Sequence, residues 1–119
     1  MARSNTLVTK TAFAKVPPIG GTKGQGDNAR AFVKLFSNFS DHRHYVLEYN
    51  PETGEAFVLT TNQDVCEYGY ISIPEMQELN TNHRQHRFPC PPMQREIHGT
   101  PVNGYRMGDI KAAHATQWS

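Results

Sequence analysis

The sequence predicts an α+β fold: a small antiparallel β-meander of about four strands with one or two short helices on one face. Three observations predict it. Apolar and polar residues alternate through short runs between Ala31 and Ile73, turn-forming residues separate the runs at hairpin spacing, and a helix start, Ser72-Ile-Pro-Glu75, follows at once. The 119 residues read as a single domain. Residues 1–30 carry a short helix and a glycine-rich loop, residues 31–79 the sheet and its capped helix, and residues 104–119 a loosely held tail.

The elements follow from local chemistry. Thr9 to Lys15 can form two helical turns capped by Thr9, and Pro17-Pro18 ends them. Gly20-Gly-Thr-Lys-Gly-Gln-Gly26 invites comparison with a phosphate loop, but Lys23 precedes its glycine and a strand-like run follows, so it reads as a connector. Ala31 to Phe36 has apolar weight on both faces and suits a central strand. His44 to Tyr49 alternates cleanly, with Tyr45, Leu47 and Tyr49 on one side and His44, Val46 and Glu48 on the other. Asn50-Pro-Glu-Thr-Gly54 is a turn, because Pro51 presets φ and Gly54 accepts a positive φ. Glu55 to Thr60 is the return strand, and Asn62-Gln-Asp64 turns the chain into Cys66 to Ile73. Ser72 and Glu75 then form a capping box with Pro74 in the first turn, and the helix buries Met76 and Leu79 against the sheet. Beyond it the prolines at 89, 91 and 92 forbid regular helix, Gln94 to His98 suits an edge strand or an extended lid, and Trp118 is the sole candidate anchor of the tail.

Composition bounds the function. With 37% apolar residues and a mean hydropathy of −0.64, the chain has a small core and generous loops. Nothing approaches the apolar run of a membrane span or the apolar centre of a secretory signal, so a soluble, cytoplasmic protein with Cys66 and Cys90 as reduced thiols is expected. The net charge of +1 divides into +5 for residues 1–36, −7 for 37–79 and +3 for the remainder. Terminal segments packing along an acidic sheet are favoured over a basic arm for an acidic partner.

Few residues suggest chemistry. His83, His86 and Cys90, with Cys66 near, offer ligand types that zinc accepts, but their spacing matches no established framework, and no metal or other cofactor is expected. His42 and His44 flank Arg43 and can act as an acid–base pair, although a packed or solvated ring is the favoured reading. No catalytic residues are assigned. Tyr45, Tyr49, Phe57, Tyr68 and Tyr70 form either a stacking platform for single-stranded nucleic acid, with Lys34 and Arg43 on the phosphates, or the core under the helix. Core is favoured for most of them, because aliphatic residues are scarce and Glu48, Glu55 and Glu67 share the strands.

The order of short motifs resembles a known family. Leu7-x2-Lys10, Lys15-Val-Pro-Pro-Ile-Gly20, Val33-Lys-Leu-Phe36, Tyr45-Val-Leu-Glu-Tyr-Asn-Pro51, Gly54-Glu-Ala-Phe57, Glu67-Tyr-Gly-Tyr-Ile-Ser72 and Glu75-x2-Glu78-Leu79 are similar to the domain of unknown function 2958, over roughly residues 7 to 100. The chain departs from that family's pattern at His44, where a tryptophan is usual, and at Phe57-Val58, where a Phe-Gly pair is usual. The resemblance implies an accessory protein of a phage, plasmid or integrative element in a bacterial host, and no known active site.

The leading expectation is therefore a non-enzymatic protein that binds a host protein or complex, for example a defence complex. His42, Arg43, His44, His83, Arg84, His86 and Arg87 are the expected contacts, because exposed His/Arg clusters are poor core and good interface material. The alternative is a nucleic-acid-binding protein of element replication or transfer, using Arg43, Arg84 and Arg87.

Overall fold

A computed structural model describes residues 3–4, 6–37, 40–81 and 93–118. The fold is α+β. Eight strands are β1 (Arg3–Ser4), β2 (Arg30–Ala31), β3 (Val33–Phe36), β4 (Arg43–Tyr49), β5 (Glu55–Thr61), β6 (Cys66–Ser72), β7 (Gln94–Glu96) and β8 (Tyr105–Arg106). Two helices, α1 (Ile73–Thr81) and α2 (Met107–Trp118), accompany them. Six strands form one antiparallel sheet in the order β1-β7-β3-β4-β5-β6, while β2 and β8 pair as a separate ribbon.

The expected meander is the centre of this sheet. The β4–β5 turn closes with Gly54 N–H on the Asn50 carbonyl at 2.7 Å, and Gly54 takes φ 78°. Glycine is required there twice over, since a Cβ at that position would stand 2.2 Å from Pro74 Cγ. The Ser72 hydroxyl accepts from the Glu75 amide at 3.4 Å and starts α1, which carries Met76 into the core. The side chain of Leu79, assigned to the same face, lies outside the described residues.

Four regions depart from the sequence reading. The expected strand from Ala31 to Phe36 breaks at Phe32: Arg30 and Ala31 leave the main sheet to pair with Arg106 and Tyr105. The break sends Ala31 to one face of the sheet while Val33 and Leu35 serve the other, a split that straight alternation forbids. Thr9 to Lys15 is a chain of turns; the Thr9 hydroxyl still accepts from the Ala12 amide at 3.0 Å. Gln94 to Glu96 is an interior strand between β1 and β3, and the expected loose tail contains α2, with Met107 fully buried.

The sheet is covered on both faces. Val33, Leu35, Val46, Ala56 and Val58 meet Leu7, Ile73, Met76 and Met93 on the α1 face. Tyr45, Leu47 and Leu59 meet Ala29, Ala31 and Met107 on the other, with Phe57, Tyr105 and Ile110 at its margin. Each fully buried leucine or valine contributes roughly 1.5–3 kcal/mol, and with five of them on the α1 face against two on the other, the α1 face supplies the larger share of the stability. The second layer comes from Ala29, Ala31 and the C-terminal segment, whose α2 shows no sustained helical periodicity because its small residues Gly108, Ala112 and Ala113 leave only Met107 and Ile110, among the residues whose burial is described, to mark a face. Among the described residues no helix is long and apolar enough to cross a membrane.

Candidate functional site

Where α2 stops covering the sheet, three rings are left at the edge. Phe57 on β5 lies opposite Tyr70 on β6, and Leu59 opposite Tyr68, so the side chains share the α2 face. The Phe57 and Tyr68 rings stack 5.5 Å apart at 9°, and Tyr70 tilts against Phe57 at 5.1 Å. Tyr68 is 38% exposed and Tyr70 59%. They floor a pocket of about 390 Å³, whose opposite wall is Ile19, Gly20, Thr22, Lys23, Gly24 and Gly26 of the glycine-rich loop.

A β-bulge holds that loop in place. Val46 pairs with Val58 but Glu48 pairs with Phe57, so Leu47 is an extra residue and Glu48 turns onto the face of Phe57. This corrects the alternation that grouped Glu48 with Val46 and Tyr49 with Leu47: Tyr49 instead packs on the α1 core, its ring 4.8 Å from that of Phe13. Glu48 accepts hydrogen bonds from Gly20 N–H and Thr22 N–H, both at 2.8 Å, and from the Thr22 hydroxyl. Glu48 as a residue is 4% exposed. Burial pushes its pKa up, but the bonds from Thr22 and Gly20 outweigh burial and hold it below the usual range. Gly20 takes φ 92° at the start of the loop, and Pro17 delivers the chain there by accepting from Tyr49 N–H at 2.9 Å.

Two lysines border the rings. Lys111 Nζ sits 4.7 Å from the Tyr68 centroid and 2.8 Å from Asp27 Oδ1, which holds the Lys111 pKa up and the Asp27 carboxyl down, each chiefly through that hydrogen bond. Lys23 stands exposed on the loop. Among the described lining residues the one carboxylate is Glu48, and the loop amides engage it fully. The arrangement offers aromatic contact and positive charge, the means of binding a partner, with no free base beside a nucleophile.

The other aromatic candidates divide. Tyr45 is buried at 4% exposure, edge-on to Tyr105 at 5.1 Å, and Tyr49 is half-buried. The platform thus comprises Phe57, Tyr68 and Tyr70, and core is the place of Tyr45. Tyr105 was not singled out from the sequence. Its hydroxyl donates to the buried Glu96 carboxylate, which also accepts from the Thr100 hydroxyl at 2.6 Å and meets Lys34 Nζ at 3.5 Å. Burial, then the bond to Glu96, raises the Tyr105 pKa. Lys34, offered as a phosphate contact, is spent in this cluster, 5.9 Å from the Tyr45 ring and 5.6 Å from that of Tyr105.

The described histidine and arginine candidates, His42, Arg43 and His44, stand apart from the pocket lining. His42 Nδ1 is 2.9 Å from the Ser40 hydroxyl, and Arg43 is exposed on β4. His44 Nδ1 lies 2.8 Å from the Thr60 hydroxyl; burial first, then the charge of His42, lowers its pKa to about 4. Adjacent strand positions direct Arg43 and His44 to opposite faces. His83, Arg84, His86, Arg87 and Cys90 lie outside the described residues. Cys66 is a free thiol, and among the described residues no group of three or more His, Cys, Asp or Glu side chains converges as a metal site. Nor do the recorded ion pairs tie the basic ends to the acidic middle: Lys34–Glu96, Arg106–Asp109 and Lys111–Asp27 all fall within the ends.

No family model, curated protein or solved structure matches this chain.

Proposed function

We propose that the protein is a non-enzymatic accessory protein of a phage or other mobile genetic element, and that it binds a host protein or complex through the Tyr68–Tyr70 face. The observation that carries the reading is the pair of exposed tyrosine rings banked on Phe57 at the open edge of the sheet. Tyrosines supply large contact area at small entropic cost and are enriched among interface anchors. Charge favours a protein over a polyanion. Glu55 and Glu67 are exposed on the same two strands, and Asp27 compensates Lys111. Arg43 and the segment holding His83, Arg84, His86 and Arg87 are proposed as flanking contacts, and the mobile-element origin rests on the motif resemblance.

A second reading, nucleic-acid binding in element replication or transfer, is favoured by one arrangement: Lys111 over Tyr68 with Lys23 across the pocket can stack a base and hold its phosphate. Affinity capture from bacterial host lysate separates the two. The first predicts a stoichiometric protein partner retained by the wild type and lost with Tyr70→Ser and Tyr68→Ser; equal recovery with all three removes the face from the interaction. Steeply salt-dependent retention of single-stranded DNA, weakened by Lys111→Ala, would establish the second instead.

A further inference from the structure

We propose that β6 is a self-association edge, through which two copies of this chain pair antiparallel about a twofold axis at Gly69. The inference is independent of what the aromatic face binds. It begins with which backbone groups of β6 are engaged. Asn62 and Val65 exchange N–H···O bonds at 2.9 and 3.4 Å, and Ile73 N–H donates to Gly54 at 3.0 Å. Between these two fixed points the register runs from Thr61↔Cys66 to Glu55↔Ser72 without a shift. Antiparallel pairs alternate between bonded and unbonded, so Glu67, Gly69 and Ile71 turn their N–H and C=O groups to β5. Cys66, Tyr68 and Tyr70 turn theirs outward, as Ser72 does its N–H, while the Ser72 carbonyl is the first acceptor of α1; among the described residues no strand pairs with that side.

A single charge, Glu67, is all that the β6 sequence offers to protect the edge. It is 7 residues long and holds no proline, lysine or arginine, whereas the opposite edge strand β1 has 2 residues. The strand Cys-Glu-Tyr-Gly-Tyr-Ile-Ser is self-complementary about its centre. An axis at Gly69 sets Cys66 against Ser72 of the second copy, Tyr68 against its Tyr70, and Glu67 against its Ile71. Every outward-facing residue then meets another outward-facing residue: each of the two symmetric Tyr68–Tyr70 pairs exchanges two hydrogen bonds, and each Cys66–Ser72 pair adds one from the Ser72 N–H. The sole charge meets an aliphatic side chain, where an axis at Glu67 would set it against itself. Only the axis at Gly69 pairs the whole strand. The tyrosine rings stay on the face, so the pairing joins the two aromatic floors side by side and leaves both pockets open.

Sedimentation equilibrium over concentrations up to about 1 mM tests the proposal. The expected result is a mass rising from 13.4 kDa to twice that value and no further. Ile71→Glu sets like charges opposite each other at two symmetric places and weakens the dimer about tenfold or more; adding Glu67→Lys restores it. Tyr70→Pro deletes an outward N–H without touching the β5 ladder and abolishes the dimer, while circular dichroism of each variant verifies the fold. A monomer throughout, growth beyond a dimer, or a dimer indifferent to both Ile71→Glu and Tyr70→Pro overturns the assignment.

Discussion

Replacing Glu48 tests how the pocket wall is built. The carboxylate takes three hydrogen bonds from the Gly20–Thr22 turn and is almost wholly buried. A bond to an ionised group contributes roughly 1.5–3 kcal/mol, but the three share one carboxylate and water reaches the exposed loop, so the sum overstates the loss. Glu48→Ala is expected to cost about 4 kcal/mol, and Glu48→Gln, which keeps one acceptor oxygen, about 2 kcal/mol. Urea unfolding followed by circular dichroism measures both. The pH dependence gives an independent check. Because the folded-state pKa is depressed, the contribution of the carboxylate is complete above the ordinary glutamate value of about 4.3 and is lost as pH falls through the folded value. The wild type and Glu48→Gln should therefore differ most at neutral pH and converge in acid. A gap below about 0.5 kcal/mol at pH 7, or one that persists unchanged in acid, refutes an ionised pin.

Gly54→Ala should destabilise by about 3 kcal/mol or more, since it adds left-handed strain and an overlap with Pro74, whereas Gly20→Ala, with open space around its Cβ, should cost only about 1–2 kcal/mol; equal effects in thermal melts would refute the Pro74 contact. The His44 ring, followed by NMR, should titrate at about 4, and a midpoint near 6.5 would refute its burial. Since the unfolded chain takes up that proton from about pH 6.5 downward, His44 contributes stability in full above that pH and loses roughly 3 kcal/mol of it as pH falls to about 4.

The meander was legible because its signals are local: the Asn50–Gly54 turn, the Ser72 cap and the alternation of β5 each depend on neighbours in sequence. What was not legible depends on distant partners. The Phe32 break exists because Ala31 is claimed by Tyr105, and β7 enters the sheet because β1 and β3 flank it, 91 to 93 and 58 to 60 residues away in the pairings Arg3↔Glu96, Ser4↔Arg95, Leu35↔Arg95 and Phe36↔Gln94. The pocket was not legible for a related reason. Exposure of Tyr68 and Tyr70 follows from where α2 ends, and α2 is a helix of small residues that no periodicity announces. Tyr45 was assigned correctly to the core, on the scarcity of aliphatics and the acidic residues that share the strands. The bulge was hidden because Tyr-Val-Leu-Glu-Tyr alternates well in either register, and only the demand of two loop amides for a carboxylate chooses between them.

That choice makes β4 a crank. Its first half feeds Tyr45 to the α2 side, its second half feeds Tyr49 to the α1 side, and the throw between them is the single residue Leu47. A pull on the glycine loop reaches Glu48, and the next residue along is already on the opposite side of the sheet, against Phe13. An occupant that shifts the pocket wall is therefore one peptide unit from the N-terminal segment, with no need of a relay through the core.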